Sequence, residues 1–283
     1  MSKMYQESLK KYLSLYFEED DLSRNFHYLK SLPTHEVQCF LKIKDDLVLA
    51  GLPFFFETFN FLLDTPLDYQ RFLEFEGKKF KKEDKREIEF TLPFNIALTA
   101  ERIALNLVQR TSSIATYTNT FVEKARNYSI EILDTRKTIP GLRYLEKYAT
   151  QVGGAKNHRF GQMDVWMIKD NHKNTFGGLK GAVEFFKKMN SFYQPLIIEI
   201  HSLEELKEAK SLGLKHLMLD NFSPAMIQEA ISLKEETMTF EASGGINLEN
   251  ITDYLIKGLD AISMGGITYN APHVDLSLKY YAK

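Results

Sequence analysis

Six short apolar runs, each closed by polar residues or glycines, constrain the fold of this chain most strongly. They are near-continuous apolar runs rich in β-branched residues, as strands buried on both faces of a parallel sheet require. They occupy residues 129–135, 164–170, 195–200, 216–220, 239–244 and 261–265. Helical segments separate the last four runs, and the predicted N-caps of these helices are Ser202, Ser223 and Asn247. The sequence therefore predicts consecutive βα units from about residue 129 onward.

Repeated βα units are compatible with two architectures. The absence of long insertions and of a G-x-G-x-x-G motif favours an open (β/α) barrel, with a doubly wound sheet as the alternative. Residues 1 to about 110 lack the alternation and predict a mixed α+β domain, with a hairpin around residues 37–52 and a core helix within residues 52–63. Thr99 is predicted to cap the next helix. The polar face of that helix consists of Arg102, Asn106 and Gln109.

The charge balance excludes partners that require a strongly basic protein. The chain has 36 Lys+Arg and 38 Asp+Glu, a formal net charge of −2, so no global positive potential attracts a nucleic acid or an anionic membrane. The most apolar stretch is too short to span a bilayer, and the N-terminus lacks the apolar segment of a signal peptide. The single cysteine, Cys39, cannot form an internal disulfide and is expected to be buried. We expect a cytoplasmic protein without nucleic-acid or membrane partners.

Positive charge is concentrated between Arg136 and Lys169, where seven Lys/Arg stand against two acids. Because the whole chain is slightly negative, this segment predicts a multiply charged anion as its ligand. Within it, one helical face is predicted to be a solvated charged surface and carries Arg143, Glu146 and Lys147. The candidate anion ligands are the cations at strand ends and in the glycine-rich connection, namely Arg136, Lys137, Arg159 and Lys169.

The carboxyl ends of parallel strands form the working edge of such a sheet. Glu199 and Asp220 end adjacent strands there, and they suit either magnesium held through waters or a developing positive charge, with ion pairs to Lys or Arg as the alternative. Glycine turns end the last two strands at Ser243-Gly244-Gly245 and Gly265-Gly266. These turns predict a phosphate site or, alternatively, tight turns alone. The histidines lack the spacing of a zinc site.

Seven runs in this chain resemble one enzyme family in their order and spacing. They are ERIALNLVQRTSSIAT (101–116), DTRKTIPGLRYLEKYA (134–149), GGAKNHRFG (153–161), IKDNH (168–172), LDNFSP (219–224), EASGGI (241–246) and DAISMGGITYNAP (260–272). The resemblance is to the quinolinate phosphoribosyltransferases, the carboxylating nicotinate-nucleotide pyrophosphorylases of NAD biosynthesis. It implies an α/β protein with an N-terminal α+β domain at residues 1–112, joined by about 271–283. It also implies an open (β/α) barrel at residues 113–270.

The resemblance implies a glycosyltransferase that moves the phosphoribosyl group of phosphoribosyl pyrophosphate to quinolinate with decarboxylation, giving nicotinate mononucleotide, CO2 and pyrophosphate. It implies Mg²⁺ as cofactor and a homodimer in which Arg102 reaches the neighbouring subunit's site. Lys137, Glu199 and Asp220 would be catalytic, and the two carboxylates would also serve Mg²⁺ through water or ribose. The substrate-binding residues would be Arg102, Arg136, His158, Arg159, Lys169, Ser243, Gly244, Gly245, Gly265 and Gly266.

Four positions depart from the family pattern. Ile139 replaces a frequent Thr, Ser113 a usual Gly, Ile198 an often acidic residue and Tyr269 a common His. Two alternatives therefore stand beside the leading assignment: a related phosphoribosyltransferase-fold paralogue acting on another base or anion, and a non-catalytic anion-binding module. The presence of Lys137, Lys169, Glu199 and Asp220 argues against the second alternative.

Overall fold

The computed structural model describes residues 3–20 and 26–282. The first elements in chain order are α1 (Lys3–Glu19), α2 (Phe26–Ser31), β1 (Glu36–Ile43), β2 (Leu47–Val48), α3 (Leu52–Asn60), β3 (Lys79–Phe80), β4 (Glu87–Pro93), α4 (Phe94–Ala125), β5 (Glu131–Leu133) and α5 (Arg143–Val152). The remaining elements are β6 (Trp166–Ile168), α6 (Asp170–Thr175), α7 (Leu179–Met189), β7 (Leu196–Ile200), α8 (Leu203–Ser211), β8 (His216–Asp220), α9 (Pro224–Ser232), β9 (Thr239–Ser243), α10 (Ile251–Tyr254), β10 (Ala261–Ser263), α11 (Gly266–Tyr269) and β11 (Leu276–Ala282).

The chain divides into two compact units. Unit 1 comprises Met1–Thr118, Ile139–Gly154 and Asn270–Lys283, and unit 2 comprises Asn119–Thr138 and Ala155–Tyr269.

Unit 1 contains a three-stranded antiparallel sheet in the order β11-β1-β4. Val37 of β1 faces Ala282 of β11, which confirms the prediction that the last residues return to the first domain. The predicted hairpin at 37–52 is wrong, because β2 pairs with β3 while both partners of β1 come from distant parts of the chain. Alternating apolar residues identify a strand and its buried face, but they do not identify its partner.

The core of unit 1 is rich in aromatic side chains. Helix α3 buries nearly all of its residues and so confirms the predicted core helix, although it ends at Asn60. The Phe55 ring packs edge-on against Phe56, Phe59 and Phe90, with ring centroids 5.1–5.8 Å apart. Edge-to-face packing of this kind adds to the free energy gained by burying the rings. Cys39 is fully buried, as expected.

Helix α4 departs from the sequence-based prediction at both of its expected polar features. It begins at Phe94, so Thr99 lies inside the helix and donates its hydroxyl hydrogen to Asn95 O instead of capping. Gln109 is buried and donates Nε2–H to Leu276 O at 3.1 Å, whereas Arg102 is exposed. The Gln109 side chain therefore supplies a hydrogen bond to a buried carbonyl within unit 1 and is not part of a ligand-facing surface.

The predicted solvated face of α5 is also wrong. Glu146 and Lys147 are fully buried. The Glu146 carboxylate accepts Nε–H and Nη2–H of Arg110 at 3.0 and 2.6 Å and the backbone N–H of Ile139 at 3.1 Å. Helical spacing shows which side chains share a face, but a buried ion pair can place that face inward.

Unit 2 contains a six-stranded parallel sheet in the order β5-β10-β9-β8-β7-β6. Its six strands fall within the six predicted apolar runs, and the α/β fold class is confirmed. Within the described residues β5 and β6 end this order of strands, and Leu133 of β5 also forms a parallel bridge with Lys156. Ser202 and Ser223 accept backbone hydrogen bonds as the predicted N-caps. Asn247 also accepts the backbone N–H groups of Glu249 and Asn250 through Oδ1, at 2.9 and 3.2 Å, in the turn that precedes α10.

Across residues 3–20 and 26–282, no helix has both the length and the apolar character needed to cross a membrane.

Candidate active site

The residues predicted to bind substrates lie, with one exception, at the carboxyl ends of the parallel strands of unit 2. Each strand or bridge of the sheet contributes to this edge, because all the strands run in the same direction. The contributing residues are Arg136 and Lys137 after β5, His158 and Arg159 after the bridge residue Lys156, Lys169 after β6, Glu199 in β7, Asp220 in β8, Ser243 to Gly245 after β9, and Gly265 and Gly266 after β10. The exception is Arg102, which belongs to α4 in unit 1.

Lys137 is held by backbone contacts and keeps an exposed side chain. Its N–H donates to Thr135 Oγ1 at 3.0 Å, and its carbonyl accepts the Thr268 hydroxyl at 2.9 Å. A Cβ at Gly265 would lie 2.7 Å from Lys137 Cδ and 2.8 Å from Tyr269 Cε1. Gly265 therefore leaves the space through which the Lys137 side chain passes.

Two guanidinium groups lie close to each other in this region. Arg159 donates Nη1–H to Val165 O at 2.9 Å. Burial, followed by the neighbouring Arg136, lowers the pKa of the Arg159 guanidinium below its usual value. Arg136 Nε is buried and has no hydrogen-bond partner within the described part of the chain. Adjacent cations with an unused buried donor are suited to an anion with more than one charge.

The segment that carries His158 is held by a buried carboxylate that the sequence analysis did not single out. Asp134 is fully buried and accepts His158 N–H at 2.8 Å and Asn157 Nδ2–H at 2.6 Å. His158 Nδ1 accepts the backbone N–H of Arg159 at 2.8 Å, and His158 Nε2 lies 3.3 Å from Glu241 Oε2. Sequence reasoning also missed Glu241, although a charged residue within the apolar run at residues 239–244 was a signal of a functional or paired carboxylate.

A row of four polar side chains follows the carboxyl ends of β6, β7 and β8: Lys169, Glu199, His201 and Asp220. Lys169 Nζ lies 2.5 Å from Glu199 Oε2, so an ion pair, one of the two predicted alternatives, is present for Glu199. His201 lies between the carboxylates, with Nε2 3.5 Å from Glu199 Oε1 and Nδ1 3.7 Å from Asp220 Oδ2. Burial and then the Glu199 charge raise the pKa of Asp220 above its usual value.

The same row contains a donor set that fits a divalent cation. One ligand atom from each of Glu199, His201 and Asp220 lies within 4.8 Å of the other two. Carboxylate oxygens are the ligands preferred by Mg²⁺, which commonly keeps several of its waters. Sequence reasoning treated His201 as ordinary because it lacks metal-motif spacing along the chain. Its position between neighbouring strands becomes visible only when the sheet is assembled.

The turn after β9 needs a glycine at position 244 because its backbone lies close to the turn after β8. Gly244 has φ +91°, and a Cβ there would lie 2.9 Å from the backbone N of Asn221. Asn221 has φ +58°, donates its N–H to Ser243 O at 2.8 Å and donates Nδ2–H to Asp220 Oδ2 at 2.7 Å. Asparagine tolerates this left-handed conformation. The two turns therefore brace each other and orient the Asp220 carboxylate.

Similarity to known proteins shows the family of this chain. The family model described as "Quinolinate phosphoribosyl transferase, C-terminal domain" matches residues 114–279. The chain belongs to the quinolinate phosphoribosyltransferase family. A human protein named nicotinate-nucleotide pyrophosphorylase [carboxylating] is 39% identical over 251 residues, which cover 87% of this chain and 83% of that protein. A Synechocystis protein named as a probable enzyme of the same kind is 36% identical over 250 residues, with the same two coverages.

Solved structures of the family share the fold. The nicotinate-nucleotide pyrophosphorylase from Francisella tularensis superposes with a TM-score of 0.85 at 32% identity, covering 98% of this chain and 97% of that one. The NadC protein from Streptococcus pyogenes gives a TM-score of 0.85 at 31% identity and covers all of both chains. The predicted family and the predicted enzyme class, a carboxylating nicotinate-nucleotide pyrophosphorylase, are confirmed.

The four departures from the family pattern have different environments. Ser113 is buried, donates to Gln109 O at 2.7 Å and accepts Val274 N–H at 3.1 Å, so its hydroxyl serves the packing of unit 1. Ile139 is exposed. Ile198 is fully buried on β7. Tyr269 is exposed at the working edge, where its ring lies beside Gly265.

Proposed function

We propose that this protein transfers the phosphoribosyl group from phosphoribosyl pyrophosphate to quinolinate and releases CO2, giving nicotinate mononucleotide in NAD biosynthesis. The observation that carries the proposal is the placement of paired cations and paired carboxylates along one strand edge. Names of relatives that are 36–39% identical over most of the chain support the same reaction.

The cationic part of the edge suits a pyridine dicarboxylate. Burial, and then the Arg136 charge, lower the pKa of Arg159, and an anion bound between the two guanidinium groups would relieve the repulsion. Lys169 adds a point charge from the end of β6. We assign these three residues to the two carboxylates of quinolinate. The assignment of His158 to the same task stays a prediction, since its Nε2 is buried against Glu241.

The carboxylate part of the edge suits the ribose. When the bond between the anomeric carbon and pyrophosphate breaks, positive charge develops on the ribose, and carboxylates at Glu199 and Asp220 stabilise it. The pyridine nitrogen then forms the new bond to that carbon. The carboxylate beside the now cationic nitrogen leaves as CO2, its bonding electrons pass to the ring, and a proton takes its place. Lys137, exposed at the end of β5, is assigned to the reacting ribose and its leaving group.

The remaining substrate atoms are phosphates. We assign Ser243, Gly244 and Gly245 together with Gly265 and Gly266 to the phosphate groups, since glycine turns allow close backbone approach. Mg²⁺ bound through water to Glu199 and Asp220 would neutralise the charge of pyrophosphate. We further propose a homodimer in which the exposed Arg102 side chain completes the partner's site.

The test follows two products at once. Purified protein with quinolinate, phosphoribosyl pyrophosphate and Mg²⁺ should form nicotinate mononucleotide and CO2 in equal amounts, and chelation of the metal should stop both. Absence of both products from folded protein that binds phosphoribosyl pyrophosphate would favour another acceptor base.

Arg136→Ala should remove most activity, about a hundredfold in kcat/KM, because it deletes a charged substrate contact. The unfolding midpoint should change little. Lys156→Ala is the matched control: this cation of the same segment pairs with Glu131 at 2.7 Å on the surface, and its loss should leave activity within about twofold. An active Arg136→Ala enzyme would contradict the assignment.

A further inference from the structure

We propose that Lys173 and Glu205 are positioning residues that fix the end of β7, where the Glu199 carboxylate is presented to the reacting ribose. They act through the backbone of Glu199 and His201. The chemical role of Glu199 rests on the proposed function, whereas the contacts that hold its strand do not.

Lys173 is a buried cation on α6. Its side chain is only 9% exposed, and its Nζ donates to the backbone carbonyl of Glu199 at 2.8 Å and to Glu205 Oε1 at 2.5 Å. An ammonium group is costly to bury unless such partners replace the water that it loses. These two hydrogen bonds are therefore what a lysine provides at this position and an apolar side chain could not.

Glu205 lies in the first turn of α8 and uses both of its carboxylate oxygens. Oε1 accepts from Lys173, and Oε2 accepts the backbone N–H of His201 at 2.8 Å. The backbone N–H of Glu205 donates to the hydroxyl of Ser202, the N-cap of the same helix, at 3.1 Å. The start of α8 is thus tied to the residue that follows β7.

The end of β7 extends beyond its pairing with β6. The register of these two strands stops with Ile168 opposite Ile198, one residue before Glu199. At this point the contact to β7 comes from α6, the helix that follows β6, through the hydrogen bond of Lys173 to the Glu199 carbonyl. Lys173 therefore acts where strand pairing with β6 no longer fixes the backbone.

The contacts of the buried pair converge on two residues of the candidate site. Lys173 binds the carbonyl of Glu199, and Glu205 binds the N–H of His201. The side chains of Glu199 and His201 meet at the working edge, with Oε1 and Nε2 3.5 Å apart. An ion pair that only joined α6 to α8 would need neither contact with this backbone. A shift of the backbone here would misplace the Glu199 carboxylate, and small misplacements lower the catalytic rate.

Kinetics of matched variants test the proposal. Lys173→Met keeps an unbranched side chain and removes the donors. We expect kcat to fall about tenfold and both KM values to stay within about threefold, because Glu199 acts on charge that develops in the transition state. An unchanged kcat in folded Lys173→Met would overturn the proposal.

Lys234→Met is the matched control. Lys234 also bridges a backbone carbonyl, Gly258 O at 2.7 Å, and a carboxylate, Asp260 Oδ2 at 2.6 Å, but it does so before β10, at the amino end of the sheet. Its kcat should stay within about twofold of wild type, because no catalytic group is attached to that end. An equal fall of kcat in both variants would overturn the proposal.

A neutral pair separates positioning from stability. Lys173→Met combined with Glu205→Gln leaves no unpaired buried charge, so its unfolding midpoint should be close to that of wild type. The hydrogen bond to the Glu199 carbonyl is still absent, so kcat should stay low. Recovery of wild-type kcat in this double variant would show that the pair is only structural. In a Glu199→Gln background, Lys173→Met should cost little further kcat, and an additive loss would also overturn the proposal.

Hydrogen exchange measures the same contacts without substrate. The His201 amide should be protected in wild-type protein and should exchange about tenfold faster in Glu205→Ala, which removes its acceptor. Unprotected exchange in the wild type would overturn the proposal even if no variant folded. An enzyme that is inactive on quinolinate but protects this amide would refute the proposed function and leave the contacts of Lys173 and Glu205 standing.

Discussion

At the residue scale, Gly265 limits the freedom of Lys137, the lysine that we assign to the reacting ribose. The extra methyl group of Gly265→Ala would lie 2.7 Å from Lys137 Cδ and 2.8 Å from Tyr269 Cε1, and both exposed side chains can move aside without a large loss of stability. We expect kcat to fall about tenfold, because a displaced side chain loses its catalytic geometry, while the unfolding midpoint shifts by only a few degrees.

Gly161→Ala is the control for this prediction, since its added Cβ would meet no atom closer than 4.0 Å. Activity assays and thermal unfolding of both variants give the comparison. Equal activity of Gly265→Ala and wild type would mean that Lys137 has more room than the structure provides.

At the element scale, the ion pair between α4 and α5 should be a major contributor to the stability of unit 1. Glu146→Ala leaves Arg110, whose side chain is 24% exposed, without its charge partner and leaves the Ile139 N–H without an acceptor. The expected loss is about 3 kcal/mol of unfolding free energy, measured by denaturant titration.

Glu123→Ala serves as the comparison, because its partner Arg126 is 67% exposed and such pairs contribute less than about 1 kcal/mol. A similar small loss for both variants would show that the buried pair is no stronger than a surface one.

The start of α3 should respond to pH through Glu76. This carboxylate accepts Gly51 N–H, Leu52 N–H and the Tyr148 hydroxyl, yet burial dominates and raises its pKa above the usual value. The folded state therefore keeps the proton at pH values where the unfolded state has lost it. The contribution of Glu76 to stability is greatest below the usual glutamate pKa and falls as pH rises through the raised value.

Denaturant titrations across this pH window should show that the difference in unfolding free energy, wild type minus Glu76→Gln, decreases as pH rises. The glutamine variant supplies the baseline because it does not titrate there. A difference that grew with pH would mean that the three hydrogen bonds outweigh burial.

What the sequence predicts well at this scale are the elements whose determinants are local. The six strands of unit 2 were predictable because strands buried on both faces are continuous apolar runs, and the Ser202 and Ser223 caps because capping is local. The partners of β1, the burial of Glu146 and the position of His201 beside Glu199 were not. Each of these depends on residues that are distant in the chain, and spacing within a single segment contains no information about them.

At the scale of the whole molecule, the proposed dimer can be tested by complementation. If Arg102 serves the partner's site, Arg102→Ala and Lys137→Ala are each inactive, but a mixed dimer contains one intact site. After unfolding together and refolding, random pairing should restore about a quarter of wild-type activity. Activity no higher than that of the separate variants would place Arg102 in the site of its own subunit or outside any site.

The pairing of β1 with β11 also determines the order in which the protein can form during synthesis. Val37 leaves the ribosome early, but its pairing residue Ala282 is synthesised much later. Every strand of unit 2 is synthesised between them. The parallel sheet can thus assemble on the nascent chain before the antiparallel sheet has its third strand. Until then one edge of β1 is an unpaired template for other chains, so slow translation of the last segment would expose the newly made protein to aggregation and to chaperones.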